Sequence, residues 1–292
     1  MIFPVKSYKN ELSLPGKVQH VDWENPIGKG GQKVVYMASV DGFDHPLVLK
    51  VILPSPDSWS RIKREVRAVT CIQHENIPQI FDTNIDSVTE HNQHVWVLEE
   101  YIHGECLRKV IQNHRAFSIS EIVHFLDVMF SVLEVTEQHN IIHRDIKPEN
   151  IMLDDAGKYW LLDFGIARHL DLESLTVTDS PFGLFTIGYS ASEQFRNRKK
   201  DIDIRADLFS LGVVVTEMIQ GYNPYLHDAD NVLQVIKRIE QKPLPALRIG
   251  GDEQFMLAKF IKMLGDNRIS RRPGSVKEVK KIFELVKSTL RF

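Results

Sequence analysis

The chain has 292 residues, 43% of them hydrophobic, enough to bury one large core or two packed lobes. Its 36 basic and 39 acidic residues are interspersed and leave a net charge of −3, so no global basic field points to nucleic acid or to an anionic membrane. The two cysteines, Cys71 and Cys106, exclude a disulfide framework and a CxxC metal motif. With no signal-like N-terminus and no apolar run of spanning length, they predict a cytoplasmic chain without a membrane segment.

Residues 1 to about 20 are polar, carry Pro4, Pro15 and Gly16, and read as an extension with weak structure. From Val21 to Ile52 the texture is strand-like: "KVVYMASV" and "HPLVLKVIL" are joined by the turn residues Asp41 and Gly42. "SWSRIKREVRAVTCIQ" places Ile62, Val66, Val69 and Ile72 on one helical stripe, with Ser58 or Ser60 as its cap. "NIPQIFDTNID" and "QHVWVLEEYI" predict two more strands. After Gly104 the pattern turns helical. "ISEIVHFLDVMFSVLEVTEQHN" has Ile122, Phe125, Leu126, Met129 and Leu133 at helical spacing behind Ser118 or Ser120. "LFSLGVVVTEMIQG" is apolar on all sides, as in a core helix, and stops at Gly221. Three amphipathic helices follow in "NVLQVIKRIEQ", "EQFMLAKFIKML" and "SVKEVKKIFELVKSTL". The expected fold is α+β. Residues 1–20 form an extension, 21–102 a lobe of antiparallel sheet with one main helix, and 103–292 a larger, mostly helical lobe.

Four stretches carry chemistry. "IGKGGQKVVY" sets glycines at 28, 30 and 31 before a strand, where backbone N–H groups can approach a phosphate; a Gly-rich hairpin tip is the plainer alternative. It is neither a Walker A loop nor a Rossmann turn, since strand-like sequence lies on both sides. "LVLK" ends a strand on Lys50, which reads as a solvated lysine or as a phosphate ligand needing a carboxylate, for which Glu65 on the next helix is placed. "HRDIKPEN" sets Asp145 and Asn150 five apart, with Pro148 disfavouring a continuous helix between them. Read as a catalytic loop rather than a surface loop, it offers a proton acceptor in Asp145, an oxygen ligand for a hard cation in Asn150 and a charge stabiliser in Lys147. "WLLDFGIA" ends an apolar strand on Asp163, eighteen residues after Asp145.

In this order the motifs resemble the protein kinases of the Ser/Thr type found in eukaryotes and, as eukaryotic-like kinases, in bacteria. The resemblance spans roughly residues 21–290 and implies ATP in a cleft between two lobes. It implies Gly28 and Gly30 in the Gly-rich loop, and Ile27, Val35, Val48 and Met152 around adenine. Backbone at Glu100 and Ile102 would bond the base. Lys50, oriented by Glu65, would hold the α- and β-phosphates, and Asn150 and Asp163 would hold Mg²⁺, with Mn²⁺ as an alternative. Asp145 would orient the hydroxyl of a protein Ser or Thr, the acceptor class that Lys147 and Thr186 favour. Asp207 would brace the catalytic loop. Glu193, closing the activation segment in "ASE", would pair with Arg272. Arg144 before Asp145 implies regulation by phosphorylation at Thr176, Thr178 or Ser180.

Three positions depart from the family pattern. Lys33 stands at the third loop glycine and reads first as a solvated tip lysine, with a phosphate contact as the alternative. Glu99 occupies the position guarding the back of the adenine pocket, usually apolar or Thr. A carboxylate there must be hydrated or paired, with Lys50 the candidate partner in competition with Glu65. Ser192 replaces the usual proline before Glu193. These departures leave a pseudokinase or nucleotide-binding scaffold as the alternative reading, and a small-molecule kinase as a further one. The oligomeric state is left open by the sequence.

Overall fold

The computed structural model describes residues 12–29, 33–52, 59–88, 94–113, 116–164, 187–195 and 202–292. They form two compact units, one running through Ile102 and the other starting at His103.

The first unit is built on β1 (Val18–Val21), β2 (Gly28–Lys29), β3 (Lys33–Val40), β4 (Leu47–Ile52), α1 (Trp59–Thr70), β5 (Ile80–Thr83) and β6 (Val95–Glu100). All pairings are antiparallel, in the order β1-β3-β4-β6-β5, with β2 on β3. Side chains alternate across a strand, so the register sorts them into two faces. One face carries Tyr36, Leu47, Leu49, Val51, Trp96 and Leu98 in a single apolar cluster. The other packs Ile52, Val95 and Val97 against Val66 of α1. Apolar matter on both sides explains why β4 is buried at every position rather than at every second one.

Residues 12–20, read from the sequence as part of a weakly structured extension, pack on this unit. Leu12, Leu14, Val18 and Trp23 pack on the first face, and the Trp96 Nε1–H donates to the Ser13 carbonyl at 3.2 Å. β1 begins at Val18, paired with Val40 of β3. Three apolar side chains scattered among polar ones lack a clear period, yet they suffice to cover a face left open by the sheet. Residues 1–11 lie outside the described set.

In the second unit β7 (Gly104–Cys106), β8 (Ile151–Asp154) and β9 (Tyr159–Leu161) form a small antiparallel sheet. Around it stand α2 (Leu107–Gln112), α3 (Ile119–Gln138), α4 (Ser192–Phe195), α5 (Ile204–Gln220), α6 (Val232–Gln241), α7 (Met256–Leu264) and α8 (Val276–Lys287). Ser118 caps α3 through a box with Glu121. The six residues of α2 are too few to show a helical period in the sequence. α5 is buried almost all round, is capped by Asp203 and ends at Gly221 with φ 82°, the left-handed turn that glycine takes without a Cβ penalty. At Gly212 a Cβ would come within 2.7 Å of the Gly265 backbone nitrogen, so this glycine lets α5 approach the end of α7. No helix among the described residues is long and apolar enough to cross a membrane.

Candidate active site

The "HRDIKPEN" stretch folds as a loop closed by a 3₁₀ turn, Pro148–Asn150, with proline at its first position. Asp207, in the first turn of α5 and fully buried, anchors it. Its two carboxylate oxygens accept from the backbone N–H groups of His143 and Arg144, each at 2.7 Å. Gln194 Nε2 donates to the Arg144 carbonyl at 2.9 Å. These bonds hold Arg144 at φ 64°, a left-handed conformation a non-glycine side chain rarely takes unaided. The His143 ring is buried: its Nδ1 accepts from the Asp145 N–H at 3.2 Å, so the proton sits on Nε2, which donates to the Leu162 carbonyl at 2.9 Å. Burial lowers its pKa to about 4 against the opposing pull of the Leu162 carbonyl and Asp145. The ring stays neutral and faces Phe164 at 4.8 Å between centroids.

The polar side chains of the loop converge. Asn150 Nδ2 donates to the Asp145 carbonyl at 2.8 Å and to Asp145 Oδ2 at 2.9 Å. Lys147 Nζ lies 3.0 Å from the same carboxylate oxygen. With its amide nitrogen committed to Asp145, Asn150 offers Oδ1 to a cation. The Leu162 N–H donates to the Asn150 carbonyl at 2.8 Å, which sets Asn150 beside the strand end that carries Asp163. Asp163 itself has φ 58°. Among the described residues no trio of His, Cys, Asp or Glu is arranged to hold a metal ion. An Asn oxygen and one carboxylate nevertheless fit the chemistry of Mg²⁺, which takes few protein ligands and completes its shell with phosphate oxygens and water.

In the first unit, Lys50 and Glu99 lie on the sheet face shared with α1 and form an ion pair, both nearly buried. They are diagonal neighbours: Lys50 stands opposite Val97 and Glu99 opposite Val48. Val35, opposite Lys50, and Gly28, opposite Val35, continue the same face. Ile27 is half-exposed. The Glu100 N–H is committed to the Gln79 carbonyl at 2.9 Å, and Ile102 is buried. Met152 lies in β8 of the second unit. Gly30, the Glu65 side chain, Thr176, Thr178, Ser180 and Thr186 lie outside the described residues.

The protein kinase domain family matches residues 22–283. The chain belongs to the protein kinase family. It is 32% identical over 211 residues to a probable serine/threonine-protein kinase PknB of Bifidobacterium longum, covering 70% of this chain and 30% of that protein. A probable serine/threonine-protein kinase of Clostridium acetobutylicum is 28% identical over 261 residues, 88% of this chain and 38% of its own length. The serine/threonine-protein kinase PknB of Mycolicibacterium smegmatis is 28% identical over 230 residues, 77% of this chain and 36% of its own. The chain thus spans about a third of the length of these curated relatives.

Two further constellations brace this kinase domain. Arg272 pairs with Glu193 through Nη1 at 2.5 Å and Nη2 at 3.3 Å, both side chains being almost fully buried, while Nε donates to the Asp266 carbonyl at 2.7 Å and Nη1 also to the Arg205 carbonyl at 3.0 Å. The second was not singled out in the sequence. Arg108 of α2 donates through Nε to Glu149 at 2.8 Å, through Nη1 to Glu217 of α5 and through Nη2 to the Tyr189 hydroxyl, which in turn donates to Glu217. Burial raises the pKa of Glu217 and, more strongly, of Tyr189. For Arg108 burial opposes the charge, but Tyr189 and Glu217 outweigh it and keep the guanidinium protonated. The available signal was Glu217 itself, one carboxylate in an apolar helix that has to be paired.

Proposed function

We propose that this kinase domain transfers the γ-phosphoryl group of ATP to Ser and Thr hydroxyls of protein substrates. The observation that carries the reading is the hydrogen-bonded set of Asp145, Lys147 and Asn150 on a loop whose backbone is fixed by buried Asp207. The acceptor oxygen bonds to the γ-phosphorus as the bond to the β–γ bridging oxygen breaks, ADP departs, and the acceptor proton passes late to Asp145. Lys147 offsets charge on the moving phosphoryl group. Lys50 holds the α- and β-phosphates, with Glu65 and Glu99 as its carboxylates. Asn150 and Asp163 are the ligands for a divalent ion, Mg²⁺ by preference, with Mn²⁺ as the alternative; bound, it supplies charge neutralisation at the phosphates. The base contacts backbone at Glu100, through its carbonyl since the N–H is taken, and at Ile102. Ile27, Val35, Val48 and Met152 enclose it, and Gly28 and Gly30 belong to the Gly-rich loop at the phosphates. Catalysis here is positioning and electrostatics, because a loose transition state asks little covalent chemistry of the protein.

Residues 21–102 with the strap before them are the nucleotide-holding lobe and 103–292 the acceptor and metal lobe. Both cysteines are free, which suits the reducing cytoplasm. Arg144 is the counter-charge for a phosphate at Thr176, Thr178 or Ser180. Incubation with labelled ATP, Mg²⁺ and a basic protein tests the reading: transfer to Ser and Thr is expected, and Asp145→Asn should abolish it. Nucleotide binding without transfer in the wild type would establish a pseudokinase instead. Mapping of the loop phosphates in wild type and Asp163→Asn should show modification in the first alone.

A further inference from the structure

Lys33 is not at a loop tip. It is the first residue of β3, half-buried and paired with Ile52 of β4. The register therefore puts its side chain on the face of the sheet that carries Val35, Val48, Lys50 and Glu99. Val35 stands opposite Lys50 and Lys33 opposite Ile52, so the two lysines are diagonal cross-strand neighbours, with Cβ atoms about 7 Å apart in such a pair and long side chains able to reach a common ligand. Glu99 occupies the diagonal on the other side of Lys50 and pairs with it in a nearly buried site. Among the described residues, this face thus bears two ammonium groups and one carboxylate in a row.

The charge arithmetic gives this row a purpose. An ammonium beside a buried carboxylate is oriented, but its field is offset and one donor is committed. A polyphosphate approaching Lys50 also meets the like charge of Glu99. Two adjacent lysines repel each other, and a carboxylate beside them reduces that repulsion when no phosphate is bound. Lys33 adds one positive charge and Glu99 one negative charge, so the two together leave the net charge beside Lys50 as it would be without either. Two of the three departures from the family pattern, Lys33 and Glu99, lie on this one face, and their charges cancel.

We propose that Lys33 is a second phosphate-binding cation of the nucleotide site, supplying the positive charge that Glu99 offsets while it tethers Lys50. This rests on the reading of the domain as ATP-binding. Affinities for ATP and for adenosine, measured by calorimetry on wild type, Lys33→Met, Lys33→Arg and Lys33→Met/Glu99→Gln, test it. A lost charge-assisted contact to phosphate is expected to weaken ATP about tenfold in Lys33→Met and to leave adenosine, which has no phosphate, unchanged. Lys33→Arg should keep the ATP affinity, and adding Glu99→Gln to Lys33→Met should recover most of the loss. An unchanged ATP-to-adenosine ratio in Lys33→Met would overturn the proposal. So would equal weakening of both ligands, the mark of a disturbed sheet. A wild type that binds ATP without transferring phosphate sinks the transferase reading alone, because the ratio still decides Lys33; binding of neither ligand sinks both.

Discussion

His143 donates to the Leu162 carbonyl, accepts from the Asp145 N–H and lies against Phe164, so the backbone of the proposed proton acceptor is held by a ring that must remain neutral. Its pKa falls from 6.5 to about 4 on folding because burial penalises the imidazolium. Below pH 6.5 the unfolded chain takes up a proton that the folded chain refuses until about pH 4. Stability contributed by this residue is therefore present above 6.5 and lost as pH falls towards 4. Between pH 7 and pH 5 the loss should be about 2 kcal/mol. Denaturant unfolding of wild type and His143→Gln at the two pH values checks this, with a flatter pH dependence expected in the variant. Parallel profiles would remove His143 as the source. At this scale the sequence made Asp145, Lys147 and Asn150 legible because one short loop carries all three. Glu99 was legible as a conflict, a carboxylate in an apolar strand, and Lys50 as the partner within reach. The Arg108–Glu217–Tyr189 set was not, because its members are far apart in sequence and meet only through the fold.

α5 is the element on which the second unit depends. Its first turn presents Asp207 to the loop that carries Asp145, its last turn presents Glu217 to Arg108, and Phe209 lies under the Arg272 guanidinium at 4.8 Å. Arg272 in turn ties α4 through Glu193 to the N-terminal end of α5 through the Arg205 carbonyl. Arg272→Met leaves Glu193 buried without this partner and should destabilise the domain by about 3–5 kcal/mol. Adding Glu193→Gln should return part of that loss. Equilibrium unfolding of the two variants checks both steps, and additive losses in the double variant would contradict the pairing. In the first unit, the strap residues Leu12 and Leu14 cover a sheet face whose Trp96 bonds to the Ser13 carbonyl. Replacing both leucines by serine should cost about 2–4 kcal/mol of stability, from two half-buried apolar side chains. Helices with several turns announced themselves by period, and strands by β-branched runs between turns. The strap and α2 escaped because short or interrupted apolar spacing has no period to read.

For the whole domain, nucleotide and metal are the levers that stability can report. Any ligand that binds only the folded chain stabilises it, by about 2.7 kcal/mol at a hundred times its dissociation constant. For a chain of this size that corresponds to a rise in Tm of roughly 5–10 °C. ATP with Mg²⁺ should produce such a rise in thermal scans, and a chelator should reduce it, because the Asn150 and Asp163 oxygens would then face phosphate oxygens with no cation between them. Asp163→Asn removes the one charge carried by the two proposed ligands, so its ATP-induced shift should be smaller with Mg²⁺ and respond less to the chelator. Adenosine has no phosphates to bridge, so its shift should be the same with and without metal. If ATP stabilises the wild type equally in the presence and absence of Mg²⁺, Asn150 and Asp163 are not metal ligands. The Asp145–Asn150 hydrogen bonds would then serve only to shape the loop.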